Sequence, residues 1–256
     1  MTMFDIHQFP CLSDNYGFLL HDSDSGATVC IDTPDVDAIN TALKARGWTL
    51  TAIWNTHHHF DHAGGNTALK AQWGCEIVAA AADAHRIEGI DRTVVEGDQV
   101  SLGAATARVI ETPGHTTGHI AYHFADAGCA FVGDTLFALG CGRLFEGSPA
   151  QMWDSLGKLV ALPDETVIYC AHEYTAANAA FALSVDPGNA ALVTRAQEID
   201  ALRSEGRPTV PTRLGLEKQT NPFLRATAPE LAANLALAAT DPVAVFAETR
   251  RRKDSF

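Results

Sequence analysis

The run Thr56-His57-His58-His59-Phe60-Asp61-His62 packs four metal-ligand donors, His57, His59, Asp61 and His62, into six residues. Imidazole and carboxylate are the side chains that hold zinc, iron or manganese. His57 and His59 are two apart, so in an extended segment they point to one side, and alternation turns His58 away. Four donors so close in sequence serve two metals better than one, because they cannot all converge on a single tetrahedron. Ala63-Gly64-Gly65 then lets a helix start close by.

Three more donor groups follow. Thr112-Pro113-Gly114-His115 makes a turn that exposes His115. Gly133-Asp134 ends an apolar run, and a carboxylate there can bridge two cations with one oxygen for each. Ala171-His172-Glu173 ends another such run. The set divides into His57, His59 and His115 for one metal, and Asp61, His62 and His172 for the other. Asp134 joins them. Two divalent ions are expected, with Zn2+ favoured and Fe or Mn also compatible. Such a pair lowers the pKa of bound water towards neutrality, which is the chemistry of a hydrolase. Asp61 and Asp134 are the expected catalytic carboxylates, and no acyl-enzyme is needed. His7, His21, His85 and His123 are assigned to structure, and His119 to support or packing around the site.

These donors need strands to bring them together. Thr51 to Asn55, Ala107 to Ile110, Cys129 to Val132 and Thr166 to Cys170 read as strands, each ending just before a donor group. That is where open α/β sheets form their crevices. Ala125-Asp126-Ala127-Gly128 reads as a hairpin turn. Helices are expected over 36–46, 66–73 and 151–161. After Glu173 the texture becomes alanine-rich and helical. Thr227 with Glu230 suggests a capping box, and Asp241-Pro242 a cap with proline at the first helical position. Arg207 to Pro222 is expected as an extended connection. The division is a catalytic domain over 1–173 and a helical, substrate-binding domain over 174–256.

Composition excludes several classes. With 46% hydrophobic and 19% charged residues, the chain is globular. A net charge of -13 opposes a nucleic-acid partner. No apolar stretch is long enough for a membrane span, and Met1 to Pro10 lacks a signal pattern. A cytoplasmic monomer is expected, with a small molecule as its partner. The six cysteines, with no Cys-x-x-Cys pair, read as reduced core thiols.

The His-x-His-x-Asp-His run, the Pro-Gly-His-Thr turn, Asp134 and His172 resemble the metallo-β-lactamase superfamily. The resemblance implies an α/β fold, an αββα sandwich, here with a C-terminal helical domain. Leu12 to Tyr16, Gly140 to Gly147, Ala171 to Thr175, Thr220 to Arg225 and the basic tail narrow it to the glyoxalase II (hydroxyacylglutathione hydrolase) family. That family implies cleavage of S-D-lactoylglutathione to D-lactate and glutathione, in methylglyoxal detoxification. Matched residue by residue, Arg143, Phe145 and Tyr174 would meet the glutathione part, and Arg250 with Lys253 its glycine carboxylate. The chain departs from the family where lysine often stands for Arg143 and tyrosine for Phe145. Arginine keeps the charge and adds a fork; phenylalanine loses a hydroxyl.

Three rival functions share parts of this pattern. A mononuclear iron sulfur dioxygenase acting on glutathione persulfide shares much of the ligand set, but the helical appendage with its basic tail disfavours it. An RNA-processing nuclease shares the histidine run, but the acidic charge counts against it. A binding module on a dead metal fold would not need the full ligand set.

Overall fold

The computed structural model describes residues 4–256, which form two compact units. The first takes the chain up to Glu111 together with Thr117–Gly133, and the second takes Thr112–Thr116 with Asp134–Phe256.

In the first unit a six-stranded mixed sheet runs in chain order: β1 (Asp5–Cys11), β2 (Asn15–His21), β3 (Thr28–Ile31), then β4 (Ala52–Trp54), β5 (Glu76–Ala80) and β6 (Arg92–Val94). The first three strands pair antiparallel, and β3 to β6 pair parallel. Parallel neighbours need crossovers. Helical ones are α1 (Val36–Arg46) between β3 and β4, and α2 (Phe60–Ala63) with α3 (Asn66–Trp73) between β4 and β5; β5 and β6 are joined without an α-helix. α1 starts where Asp35 accepts from the Asp37 and Ala38 amides, and stops at left-handed Gly47. Leu19, Cys30, Ile53 and Ile77 pack one face of the sheet with Ile39, Leu43 and Leu69 of α1 and α3.

The other face is covered as well, so β3 and β4 are buried throughout, and β2 up to Leu20, rather than alternating. An antiparallel set covers it: β7 (Gln99–Leu102), β8 (Ala105–Glu111), β9 (Ile120–Phe124) and β10 (Cys129–Gly133). Aromatic rings fill the space between these sheets. Phe18 meets Phe131 at 5.5 Å, and Trp54 meets Tyr122 at 5.4 Å and Phe124 at 6.0 Å. The β9–β10 connection is the expected turn, with Gly128 left-handed.

The second unit opens with a small hairpin, β11 (Leu136–Phe137) and β12 (Gly140–Cys141). Then come α4 (Pro149–Val160), β13 (Val167–Cys170), α5 (Thr175–Val185), α6 (Ala190–Ser204), β14 (Thr212–Arg213), α7 (Leu214–Thr220), α8 (Pro229–Asn234) and α9 (Pro242–Asp254). α4 begins two residues before the expected start, because Ser148 and Gln151 form a capping box around Pro149. Asp241 caps α9 as expected, accepting from the Ala244 amide.

Two expectations fail in this unit. Residues 207–222 are not simply extended, since β14 pairs with β13 and α7 follows directly. Thr227 does not cap α8. Pro229 takes the first helical position, so the cap falls on Ala228, one residue beyond Thr227, and no side chain caps it. Among the described residues, no helix is long and apolar enough to cross a membrane.

Candidate functional site

Each donor group does follow a strand: β4, β8, β10 and β13. In the first unit His57 and His59 lie in the loop after β4, while Asp61 and His62 ride on the four-residue α2. His57 Nε2 and His59 Nδ1 face each other at 3.0 Å. His58 turns the other way, as expected, to Asp83 Oδ2 at 3.3 Å. Asp61 Oδ2 accepts from Asn15 Nδ2 at 3.0 Å and lies 3.5 Å from His62 Nε2. His119 stacks on His57 at 4.8 Å, a packing role.

One residue that orders this group lies outside every donor motif in the sequence. Asp32, directly after β3 and left-handed at φ 59, is 4% exposed. Its Oδ1 accepts from the Thr56 amide at 2.7 Å. Its Oδ2 accepts from the Thr56 hydroxyl and from His62 Nδ1, both at 2.8 Å. The Thr56 hydroxyl proton is thereby committed to Asp32, so its oxygen can only accept from His57 Nδ1, at 3.0 Å. Both histidines then carry hydrogen on Nδ1, and both present an Nε2 lone pair. Gly133 closes in behind this group; its φ is +48, and a Cβ would come within 2.6 Å of the Thr56 hydroxyl.

The second unit carries the other donors. His115 Nδ1 lies 2.8 Å from the Arg143 carbonyl, which can only accept, so His115 also presents an Nε2 lone pair. Asp134 faces a different imidazole with each oxygen: His115 Nε2 lies 3.4 Å from Oδ2, and His172 Nε2 lies 3.4 Å from Oδ1. Tyr174 stacks flat on His172 at 4.7 Å and 4°. The first unit thus carries His57, His59, Asp61 and His62, and the second His115, Asp134 and His172, all donors of the kind that hold a metal ion. Lone pairs fixed by bonds to the opposite ring nitrogen are how metal-binding histidines are oriented. The donor set therefore fits a divalent cation of the zinc, iron or manganese kind.

The expected substrate contacts gather in the second unit. The basic tail is not frayed but folded into α9, where Arg251 and Arg252 pair with Glu248. Asp254 links two of the cations, with Arg250 Nη2 at 2.8 Å and Arg143 Nε at 3.9 Å. Arg250 is buried; its Nη1 donates to the Cys141 carbonyl at 3.0 Å, and its guanidinium lies over the Phe223 ring. Lys253 donates to the Ala177 carbonyl at 3.0 Å. Burial, then the charges of Arg250 and Arg143, holds the Lys253 pKa below the ordinary lysine value. Phe145 is exposed and sets its edge against His115 at 5.2 Å. All six cysteines are buried and unbridged, and burial pushes Cys141 up to about 11 and Cys170 to about 12. They are packing residues, as expected.

The chain is similar to known proteins along its whole length. Residues 32–172 match the metallo-beta-lactamase superfamily, and residues 173–256 match the hydroxyacylglutathione hydrolase C-terminus. A hydroxyacylglutathione hydrolase from Maricaulis maris is 60% identical over 251 residues, 98% of each chain. One from Rhodospirillum rubrum is 57% identical over the whole of both chains. Among solved structures, ETHE1 from Myxococcus xanthus superposes with a TM-score of 0.70 at 26% identity, over 96% of this chain and 90% of its own. With donors of the expected kinds after each strand, and likeness along its full length, the chain belongs to the hydroxyacylglutathione hydrolase family of the metallo-β-lactamase superfamily.

Proposed function

We infer that this protein is a thioester hydrolase that uses two divalent metal ions to cleave S-D-lactoylglutathione to D-lactate and glutathione. The observation that carries the metal chemistry is the tautomer control on His57, His62 and His115, each with Nδ1 engaged and Nε2 presented. Family membership along the full chain carries the substrate. His57, His59 and His115 would hold one ion and Asp61, His62 and His172 the other, with Asp134 offering a carboxylate oxygen to each. Zn2+ is the favoured occupant.

When bound, such a pair supplies Lewis acidity, lowering the pKa of water and polarising the thioester carbonyl. The chain's own groups do the rest. Asp61, held by Asn15, takes a hydrogen bond from the attacking water and aims it. Arg250 and Lys253 take the glycine carboxylate of the tripeptide, and Arg143, linked to Arg250 through Asp254, meets the rest of it. Tyr174 and the exposed Phe145 ring flank the peptide part. Water adds to the carbonyl carbon, the carbon–sulfur bond breaks, and the products are the hydroxy acid and the thiol.

In this reading residues 1–173 are the catalytic domain and 174–256 the substrate-binding one. The enzyme acts as a cytoplasmic monomer on a small molecule, with no nucleic acid or membrane as partner. The test is release of glutathione from S-D-lactoylglutathione beside two other glutathione thioesters, with metal analysis on the same sample. Two metals per chain and turnover of the lactoyl thioester are expected. Oxygen consumption with glutathione persulfide, and no thioester cleavage, would overturn it.

A further inference from the structure

The segment Thr220-Asn221-Pro222-Phe223-Leu224-Arg225 has no part in the chemistry above, yet Thr220, Asn221 and Phe223 are wholly buried. Asn221 points its carboxamide at the β11–β12 hairpin. Its Nδ2 donates to the Phe137 carbonyl at 3.1 Å and the Gly140 carbonyl at 3.0 Å. Its Oδ1 accepts from the Phe223 amide at 3.0 Å, which fixes which end of the carboxamide faces the hairpin.

Glu217, one turn earlier on α7, joins in. Its Oε2 accepts from Asn221 Nδ2 at 3.1 Å and from the Leu139 amide at 2.9 Å. Its other oxygen pairs with Arg195 and accepts from the Thr212 hydroxyl at 2.6 Å. From α5, Asn178 donates to the Ala138 carbonyl at 3.0 Å. Four consecutive residues, Phe137 to Gly140, are thus held from outside by side chains.

The hairpin needs such help. Each strand is two residues long, and Leu139 at the turn has a φ of 56, a conformation disfavoured for any residue with a Cβ. The hairpin also lies between groups that must be placed well. Asp134 precedes it. After it, the Gly142 amide returns to the Thr135 carbonyl at 3.3 Å, and the Arg143 carbonyl orients His115. Gly142 passes so close that a Cβ there would run into the Asp134 carbonyl. A slip of about 1 Å would take the 2.8 Å bond between His115 and the Arg143 carbonyl out of hydrogen-bond reach.

We propose that Asn221, backed by Glu217, is a positioning residue that holds the β11–β12 hairpin and, through it, sets Asp134 and His115 for the metals. The proposal rests on the reading of Asp134 and His115 as ligands. Its test compares Asn221→Ala with Arg225→Ala. Arg225 belongs to the same segment but pairs with Asp186, away from the hairpin.

Asn221→Ala should weaken zinc retention against a chelator by about 10- to 100-fold, and lower kcat more than it raises KM. Arg225→Ala should lower the melting temperature while leaving zinc retention and kcat per bound metal at the parent values. Equal zinc retention in Asn221→Ala and the parent would overturn the proposal. So would an equal loss of retention in both variants at matched stability. If Asn221→Ala does not fold, Asn178→Ala removes one hairpin contact and should show a smaller loss in the same direction; no loss there overturns the proposal. Zinc retention is read without substrate, so a wrong thioester assignment fails separately, as absent turnover in the parent enzyme.

Discussion

Replacing Asp32 by asparagine should disable the metal site without unfolding the protein. The Thr56 amide must still donate, so the carboxamide oxygen stays at the Oδ1 position, 2.7 Å away. The amide nitrogen then sits where Oδ2 was, 2.8 Å from the Thr56 hydroxyl and from His62 Nδ1. A nitrogen that donates there forces His62 to accept on Nδ1 and to carry its hydrogen on Nε2, the atom meant for the metal. Restoring the useful tautomer sets two donors face to face. It forfeits a bond to a charged acceptor, about 1.5–3 kcal/mol. That converts to about 10- to 150-fold in metal affinity, close to the usual size of such supporting contacts.

Asparagine tolerates the left-handed backbone at φ 59, so the fold is kept. Alanine at the same place adds about 1–2 kcal/mol of backbone cost, and about 1–3 kcal/mol for each donor left unpaired. The assay is metal per chain during chelator titration, with imidazole 15N shifts to read the His62 tautomer and melting temperature to follow the fold. Asp32→Asn with parent zinc affinity and parent kcat would refute the reasoning. So would an Asp32→Asn variant that melts as low as Asp32→Ala.

The other predictions concern the bridging carboxylate, the cations and the thiols. Asp134→Ala should abolish turnover and reduce bound metal; near-normal values of both would remove Asp134 from the site. Arg143→Ala and Lys253→Ala should each raise KM by about 5- to 30-fold, the size of one partly exposed charge-assisted contact, with kcat little changed. The Lys253 pKa is lowered, chiefly by burial, so its charge is lost at a lower pH than that of an ordinary lysine. KM should therefore begin to rise with pH below 10.5, and Lys253→Arg should move that limb upward. A limb unmoved by the substitution would clear Lys253 of the effect. Burial raises every one of the thiols, Cys11 and Cys129 to about 12 among them. Iodoacetamide at pH 8 should leave the native enzyme unlabelled and fully active, and label it only in denaturant.

What was legible in the sequence was local. Helices over 36–46 and 66–73 appear with those bounds because Asp35 starts one, and left-handed Gly47 and Gly74 end both. The donor kinds were legible because they crowd into a short run or stand directly after apolar strands. Asp32 also stands after an apolar strand, Thr28 to Ile31, and that was the available signal. That signal is weak, because its partners, Thr56 and His62, lie 24 and 30 residues on, and no short motif joins them. α7 was hidden by proline punctuation. Its reason to fold there is tertiary: Glu217 and Arg195 form a buried pair across 22 residues. The α8 cap failed on a shift of one residue, which pattern alone does not resolve.

The two compact units have a consequence for what counts as a part of this protein. By likeness to relatives the chain divides once, between residues 172 and 173. By compactness it divides three times, because Thr112–Thr116 and everything from Asp134 onward pack together. The segment matched by family and the compact unit are therefore different objects. A truncated gene ending at residue 172 would keep the whole match to the metallo-beta-lactamase superfamily, yet would carry His115 and Asp134 away from much of the unit in which they are packed. Swapping C-terminal segments between relatives amounts, in this fold, to exchanging part of the second unit's interior rather than an accessory.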